Sequence, residues 1–384
     1  MTAANLFDPA IKADPYPIYE SIRDEGPVTR HELFPMWMVT GFDAATSVLS
    51  DAATFSSGGA VRPGPDLFGA PVMLFSDPPV HTRLRATVVR AFTPRSIAAL
   101  QPRIARLAQE LVDRPSSWEV VSGLSTPLPV MVIADMLGVP SRDHEQFKRW
   151  SDDLVAVNTL VDTSGAEAAW KGAQELRSYM ADAVRRRRAD PGDDLISRLI
   201  AANADGSIDD DELLAACVLL MVAGNETTTN LISNAVLALA RRPDLVAALR
   251  DDPSRITPLI EEILRWDPPV HATVRAVVQP AMLENVTLSP GEMVMVLLAA
   301  ANRDPRRFEA PTELRPGRPD GGHVAFGHGI HFCLGATVAR LEATAAIGAL
   351  VARAPKGWTV DDDTVTYGPS FFLRGLSRLR ITIT

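Results

Sequence analysis

Cysteine is scarce: of 384 residues, only Cys217 and Cys333 carry a thiol. Two cysteines make no disulfide framework, and the scarcity points to a reducing compartment. A bilayer-crossing segment is missing too. Spanning needs about 20 apolar residues, whereas the longest apolar stretch, 213–224, is shorter and bracketed by acids. The opening MTAANLFDPAIKADPYP has neither a basic start nor an apolar core, so no secretory signal is expected and the protein is expected in the cytoplasm. Net positive charge is absent. The formal balance is −9, which argues against nucleic acid as the main partner because phosphate binding needs a positive field. The exception is the arginine run 185–188, which reads as the solvated end of a helix before Asp190-Pro191, where cations complement the dipole. No run of Gly, Ser or Pro is long enough to act as a spacer. A single domain over 1–384 is expected, with strand-rich parts near 28–50, 280–300 and 365–384.

What is present is helical periodicity. Apolar spacing of three or four, with breakers at the ends, predicts helices over 14–24, 94–113, 141–160, 165–188, 207–240, 254–266 and 335–353. Strand signals are fewer. They fall at MWMVTG (36–41), at VTLSPGEMVMVLL (286–298), and in a C-terminal pair, SFFL and SRLRITIT, either side of Arg374-Gly375. The stretch 56–75 is rich in Gly and Pro yet apolar, which reads as a long functional loop. The fold class is mainly α with small β-sheets.

One segment concentrates chemistry. In FGHGIHFCLG (326–335), three glycines crowd Cys333 just before a predicted helix. Glycines permit close backbone approach, and a helix start aims free N–H groups and a positive dipole end at the sulfur. Those conditions favour a thiolate. The residue type alone fits a small buried hydrophobe. A zinc site would need about four ligands, and His331 with Cys333 leaves it short. A nucleophilic thiol would need a base such as His328 or His331. From the segment alone, thiolate ligand and nucleophile stay open.

Three further segments stand out. AGNETT (223–228) puts glycine and two threonines inside a predicted helix, where they are poor choices. Ala223 and Thr227 share a face at i and i+4, where small residues let a flat ligand approach and a threonine hydroxyl can disturb the helical bonding. By itself this reads equally as a bent helix with Glu226 at the surface. Glu262 and Arg265, at i and i+3, can pair, as charges on most exposed helices do. His81 and Arg85, at i and i+4 after Asp77-Pro78-Pro79, can point at one anion.

Together these segments resemble the cytochrome P-450 family. The loop matches the haem signature F-G-x-G-x-H-x-C-x-G, the helix matches A-G-x-[DE]-T-[TS], Glu262-Ile263-Leu264-Arg265 matches E-x-x-R, and 77–85 matches D-P-P-x-H-x-x-x-R, all in family order. The resemblance spans about 8–384 and is weakest over 308–322, where only Phe308, Pro311 and Arg318 look familiar. It implies the family's triangular-prism fold around a long oxygen-binding helix, and haem b as cofactor. Cys333 would be the iron ligand, with Phe326 beside the sulfur and Gly327 and Gly335 shaping the loop. His81, Arg85, Arg275 and His331 would meet the haem carboxylates, which need cationic partners when buried. Ala223 and Gly224 would face the haem, and Glu226 and Thr227 would relay protons to bound oxygen. Glu262 and Arg265 would lock the core behind the haem.

The implied activity is a monooxygenase that inserts one atom of O2 into a C–H bond or alkene of a hydrophobic small molecule. Secondary metabolites such as macrolides, terpenoids or steroids are the expected class. By the same resemblance the pocket is lined by 56–75, the 150–175 region, Leu219, Val222, Ala223, Val270, His271, Val274, Phe371 and Phe372, with His271 and Arg62 as polar anchors. Electrons would come from NAD(P)H through a reductase and an acidic ferredoxin docking on the Cys333 side, on a basic face that includes Arg340. A monomer with no nucleic-acid or membrane partner is expected. Two rivals are a peroxide-driven enzyme of the same fold and a haem-bound sensor without turnover.

Overall fold

The computed structural model describes residues 9–31, 35–60, 68–155 and 166–384. The helix that organises it, Asp210–Ala240, begins at a capping box: the Asp209 carboxylate accepts from the Glu212 N–H while Glu212 accepts from the Asp209 N–H. Reciprocal capping satisfies two N–H groups that the first turn leaves without helical partners. Three acids in that turn complement the positive dipole end. Both ends of the helix are buried on most sides, which explains why its composition is apolar all round rather than striped.

Against this helix pack Pro127–Leu137, Ala166–Ala189 and Ala336–Arg353; the last also packs along Pro94–Val112. One apolar cluster fills the space between these and Ile256–Trp266, with Leu107, Leu231, Ile263 and Ile347 in it. A second, containing Phe147, Trp150, Leu176 and Val218, lies under the Ala166–Ala189 helix. That helix ends in the arginine run as expected. Arg187 pairs with Asp194 and Arg188 with Asp210, so the run caps a helix and closes on neighbouring acids.

A five-stranded sheet runs in the order Val28–Arg30, Met36–Val39, Met293–Leu297, Ala272–Val277, Phe55–Ser56. Its centre is Ala272–Val277 antiparallel to Met293–Leu297, with Arg275 opposite Val294. The strand-rich parts near 28–50 and 280–300 hold strands mixed with helix, since Phe42–Ser50 and Leu298–Ala301 are helical.

The C-terminal hairpin differs from expectation. SFFL forms no strand beyond one bridge, Val270 to Leu373, and SRLRITIT splits. Leu376–Arg378 pairs with Thr366–Tyr367, while Arg380–Ile383 lies between Ser117–Glu119 and Trp358–Val360. At Gly375 a Cβ would sit 1.8 Å from Asn230 Oδ1, so the backbone passes close against the central helix, while its carbonyl accepts from the Gly368 N–H, 3.0 Å, beside the hairpin pairing. No helix among the described residues is long and apolar enough to cross a membrane.

Candidate haem site

The segment 77–85 meets the cysteine loop, with His81 against His331 and Arg85 bonded to the Phe332 carbonyl. The cysteine loop closes on itself through a hydrogen bond from the Cys333 N–H to the Phe326 carbonyl, 2.9 Å, and Gly327 takes a φ of 73° that a side chain would strain. Gly329, with φ 66°, lies so close to the Phe42–Ser50 helix that a Cβ would stand 2.6 Å from the Leu49 carbonyl oxygen. The loop is therefore held against a neighbouring helix by the absence of side chains.

The thiol of Cys333 is accessible, yet enough protein surrounds it that desolvation pushes its pKa up. The N–H groups of Gly335 and Ala336, at the start of the Ala336–Arg353 helix, and the charges of Arg85 and Arg340 pull the other way. Helix-start N–H groups and nearby cations favour a thiolate. Cys217 is the opposite case. It is fully buried in apolar surroundings, and its thiol is pushed up to about 12.

Around the loop gather four basic side chains without an acidic partner. His81 and His331 lie ring to ring, centroids 4.4 Å apart. Neither His81 nitrogen makes a well-directed hydrogen bond, although both are buried. His331 Nε2 shares a hydrogen bond with Ser57 Oγ, 3.0 Å. Arg85 donates to the Phe332 carbonyl, 2.7 Å, and Arg275 to Thr273 Oγ1 and the Val274 carbonyl. Among the described residues none of the four stands in an ion pair; the carboxylate whose charge His81, Arg275 and His331 feel is that of Asp77. Burial lowers the pKa of His81, Arg275 and His331, the last to about 4, with the other cations adding to the effect on both imidazoles. Burying basic groups that form no ion pair is costly, and an anion set among them would offset that cost.

On the opposing helix, burial breaks at 222–224. Met221 and Asn225 are buried, whereas Ala223 is exposed. A Cβ at Gly224 or at Gly335 would meet no atom within 4 Å, so room stands beside both glycines. The Thr227 hydroxyl donates to the Ala223 carbonyl, 3.0 Å, one turn back. That bond competes with the helical ladder and places a hydroxyl at the break.

Glu262 and Arg265 are not a surface pair. Both are 2% exposed and joined by two bonds of 2.8 Å. Arg318 completes the group at 3.0 and 3.1 Å from the two Glu262 oxygens, and Arg265 also donates to the carbonyls of Asn302, Pro311 and Glu313. This knot ties the 302–318 segment, on which the cysteine loop follows, to the Ile256–Trp266 helix. Arg318 was visible in the sequence only as a familiar residue in the weakest stretch.

The expected pocket residues divide. Leu219 packs with Ala70, Val72 and Phe75 of the long loop, and Val222 with the helices of the second core cluster. Val270 lies against the sheet core, while Val274, Phe371 and Phe372 share a smaller cluster. His271 does not present a free anchor. It is 2% exposed, its Nδ1 is 2.9 Å from the Tyr19 hydroxyl, and its Nε2 faces Asp267 at 3.8 Å. Arg340 is likewise engaged. It binds Glu261 with two bonds, 2.6 and 2.9 Å, and stacks over Phe326. Arg62 and the middle of the 150–175 region lie outside the described residues.

A thiol at a helix start, four basic groups gathered beside it and two glycines with open room are of a kind that would suit a haem held by a thiolate. Comparison with known proteins agrees. The cytochrome P450 family profile matches residues 145–353. Cytochrome P450 107B1 of Saccharopolyspora erythraea is 39% identical, covering 98% of this chain and 96% of that protein. The vitamin D(3) 25-hydroxylase of Pseudonocardia autotrophica is 38% identical over 99% of this chain and 96% of its own. The solved structure of cytochrome P450 CYP109Q5 from Chondromyces apiculatus superposes with a TM-score of 0.91 at 36% identity, covering 100% of this chain and 99% of that one. The chain belongs to the cytochrome P450 family. It is a monooxygenase, and its cofactor is haem b with a cysteine thiolate ligand.

Proposed function

We propose that Cys333 is the thiolate ligand, that His81, Arg85, Arg275 and His331 hold the haem carboxylates, and that Glu226 and Thr227 supply protons at the oxygen face. The observation that carries this is the unpaired basic cluster beside the cysteine loop. Four groups that share only the distant charge of Asp77 and form no ion pair suit two carboxylates. When bound, the haem supplies the activation of dioxygen and the transfer of one oxygen atom to carbon. The chain's share is different. Gly335 and Ala336 direct N–H groups at the sulfur, which tempers its electron donation. Thr227, held by its bond to the Ala223 carbonyl, keeps a hydroxyl where a proton is required, and Glu226 beside it is the acid that resupplies it.

The substrate is a hydrophobic small molecule. We assign it to the macrolide and steroid size class, in secondary metabolism. Supporting this, relatives at 35% and 38% identity are named 6-deoxyerythronolide B hydroxylase and vitamin D(3) 25-hydroxylase. A structure with a TM-score of 0.89 was solved for CYP109E1 with testosterone. The aromatic and aliphatic residues Leu219, Val270, Val274, Phe371 and Phe372 would form its walls. Electrons come from a ferredoxin-type partner docking near the cysteine loop on a monomeric enzyme, the whole chain acting as one domain. Because Arg340 is already tied to Glu261, steering falls to other cations on that face. Rising ionic strength should slow reduction; a salt-insensitive rate counts against this docking mode.

The deciding experiment is Cys333→Ser. The variant should lose the carbon monoxide band of thiolate-ligated ferrous haem, and survival of the band would overturn the ligand assignment.

A further inference from the structure

A buried polar group on the N-terminal side of the molecule has no part in the reading above. Asp267 follows the Ile256–Trp266 helix and is buried. Its Oδ1 accepts from the Tyr16 hydroxyl, 2.6 Å, and from Arg374 Nε, 2.9 Å. Its backbone carbonyl accepts from Asn234 Nδ2, 3.2 Å, on the central helix, and the same amide reaches the Arg374 carbonyl, 3.3 Å. His271 faces the carboxylate with one nitrogen and Tyr19 with the other. The Arg303 guanidinium lies over the Tyr16 ring, 3.2 Å from its centroid.

These partners come from five distant parts of the chain: the helix Tyr16–Glu25, the central helix, Arg303, the segment 267–271 and the segment 370–375. The last two carry Val270 and Phe371–Phe372, and they are also zipped by backbone. His271 N–H donates to the Phe372 carbonyl and Arg374 N–H to the Pro269 carbonyl, both 2.8 Å. The zipper fixes the two segments to each other. Asp267, through Asn234 and Arg374, fixes the pair relative to the helix that carries Thr227.

A carboxylate in this position costs desolvation, which the charge of Arg374, the His271 ring and the Tyr16 hydroxyl offset. A structure that needed only packing could fill the site with apolar side chains. The retained polar hub instead holds each segment at a set hydrogen-bond distance.

We propose that Asp267, with Tyr16, Tyr19, His271 and Arg374, is a positioning cluster that sets the spacing of the two substrate-facing segments, 270–274 and 371–373, above the oxygen face. It touches neither haem nor substrate. It controls which carbon of a bulky ligand comes near the iron and leaves small ligands unaffected. The proposal rests on the haem reading given above, through the assignment of those two segments to the pocket.

The test uses the holoenzyme and two probes that bind haem iron through nitrogen, imidazole and phenylimidazole. Imidazole needs little room, whereas phenylimidazole must fit between the two segments. For Tyr19→Phe and Asp267→Asn, phenylimidazole affinity should fall about fivefold, equivalent to about 1 kcal/mol, while imidazole affinity stays within twofold of wild type. Equal effects on both probes, or no effect on either with only a lower melting temperature, would overturn the proposal. Tyr19→Phe removes one hydroxyl and keeps the fold testable should Asp267→Asn fail to accumulate. The carbon monoxide band is recorded for each protein. Its loss in wild type would refute the haem reading itself, whereas its presence with unchanged phenylimidazole binding in both variants refutes only this one.

Discussion

His81 and His331 face each other at 4.4 Å between ring centroids, and burial, with Arg85 and Arg275 nearby, lowers the pKa of both imidazoles. The pKa of His331 falls to about 4 by burial and by the charge of Arg275, against about 6.5 for a free histidine. In the haem-free protein, the unfolded chain then binds more protons than the folded one between about pH 6.5 and 4, so stability is full above 6.5 and is lost as pH falls through that window. Urea midpoints across the window should decline for wild type and decline less for His331→Phe. In the holoenzyme the haem carboxylates oppose the basic groups, and the decline should be shallower. Equal slopes with and without haem would disprove an anion-clamping role.

Cys217→Ser is the companion to the loss of Cys333. Cys217 is buried in the second apolar cluster with its thiol pushed up to about 12, so it cannot offer a thiolate at neutral pH. Its serine variant should keep the carbon monoxide band and lose about 1–3 kcal/mol of stability from a buried hydroxyl. Spectra of the ferrous carbonyl form of both variants check this in one experiment.

Glu262→Ala should cost more than any surface change. It would strand Arg265, 2% exposed, without a carboxylate and leave Arg318, 4% exposed, with Asp320 alone. Removing one partner of a buried pair costs roughly 3–5 kcal/mol. Chemical denaturation, or the yield of haem-loaded protein where the apo form does not accumulate, reads the loss. A Glu262→Ala protein of wild-type stability would remove the case for the knot as a lock.

Thr227→Val and Glu226→Gln should separate electron use from product. Loss of a positioned proton donor lowers turnover by about 10²-fold, and electrons should still be consumed with peroxide released. The ratio of product formed to reductant used measures this. A variant with normal coupling would exclude Thr227 as a proton donor.

The chemistry was legible where it is local. FGHGIHFCLG carries its glycines, cysteine and following helix start within ten residues, and each acts on its neighbour. The long helix was legible because Asp209 and Glu212 cap it visibly. Six of the described α-helices fall outside the predicted spans, Val80–Ala91, Pro243–Asp251 and Leu298–Ala301 among them. Pro127–Leu137 reads PLPVMVIADML, an apolar run that periodicity cannot tell from a buried strand. Phe42–Ser50 and Leu195–Ala202 are short, at 9 and 8 residues, and stabilised mainly by packing. The Asp267 cluster was invisible because Tyr16 lies 251 residues from its partner. No pattern in a single sequence reports that contact, and His271 consequently looked like a pocket residue. Arg340 looked like a docking cation for the same reason, since Glu261 stands 79 residues away.

The tight seat of Gly375 against Asn230 bears on redesign of the enzyme. Libraries meant to widen its range of substrates would naturally saturate the whole 370–375 turn. At position 375 every replacement carries a Cβ into the central helix, so that codon should return only glycine among active clones. Phe372, only partly buried beside the core that Phe371 fills, remains open to variation. A library that spares the glycine wastes fewer clones and leaves the diversity where it can be selected.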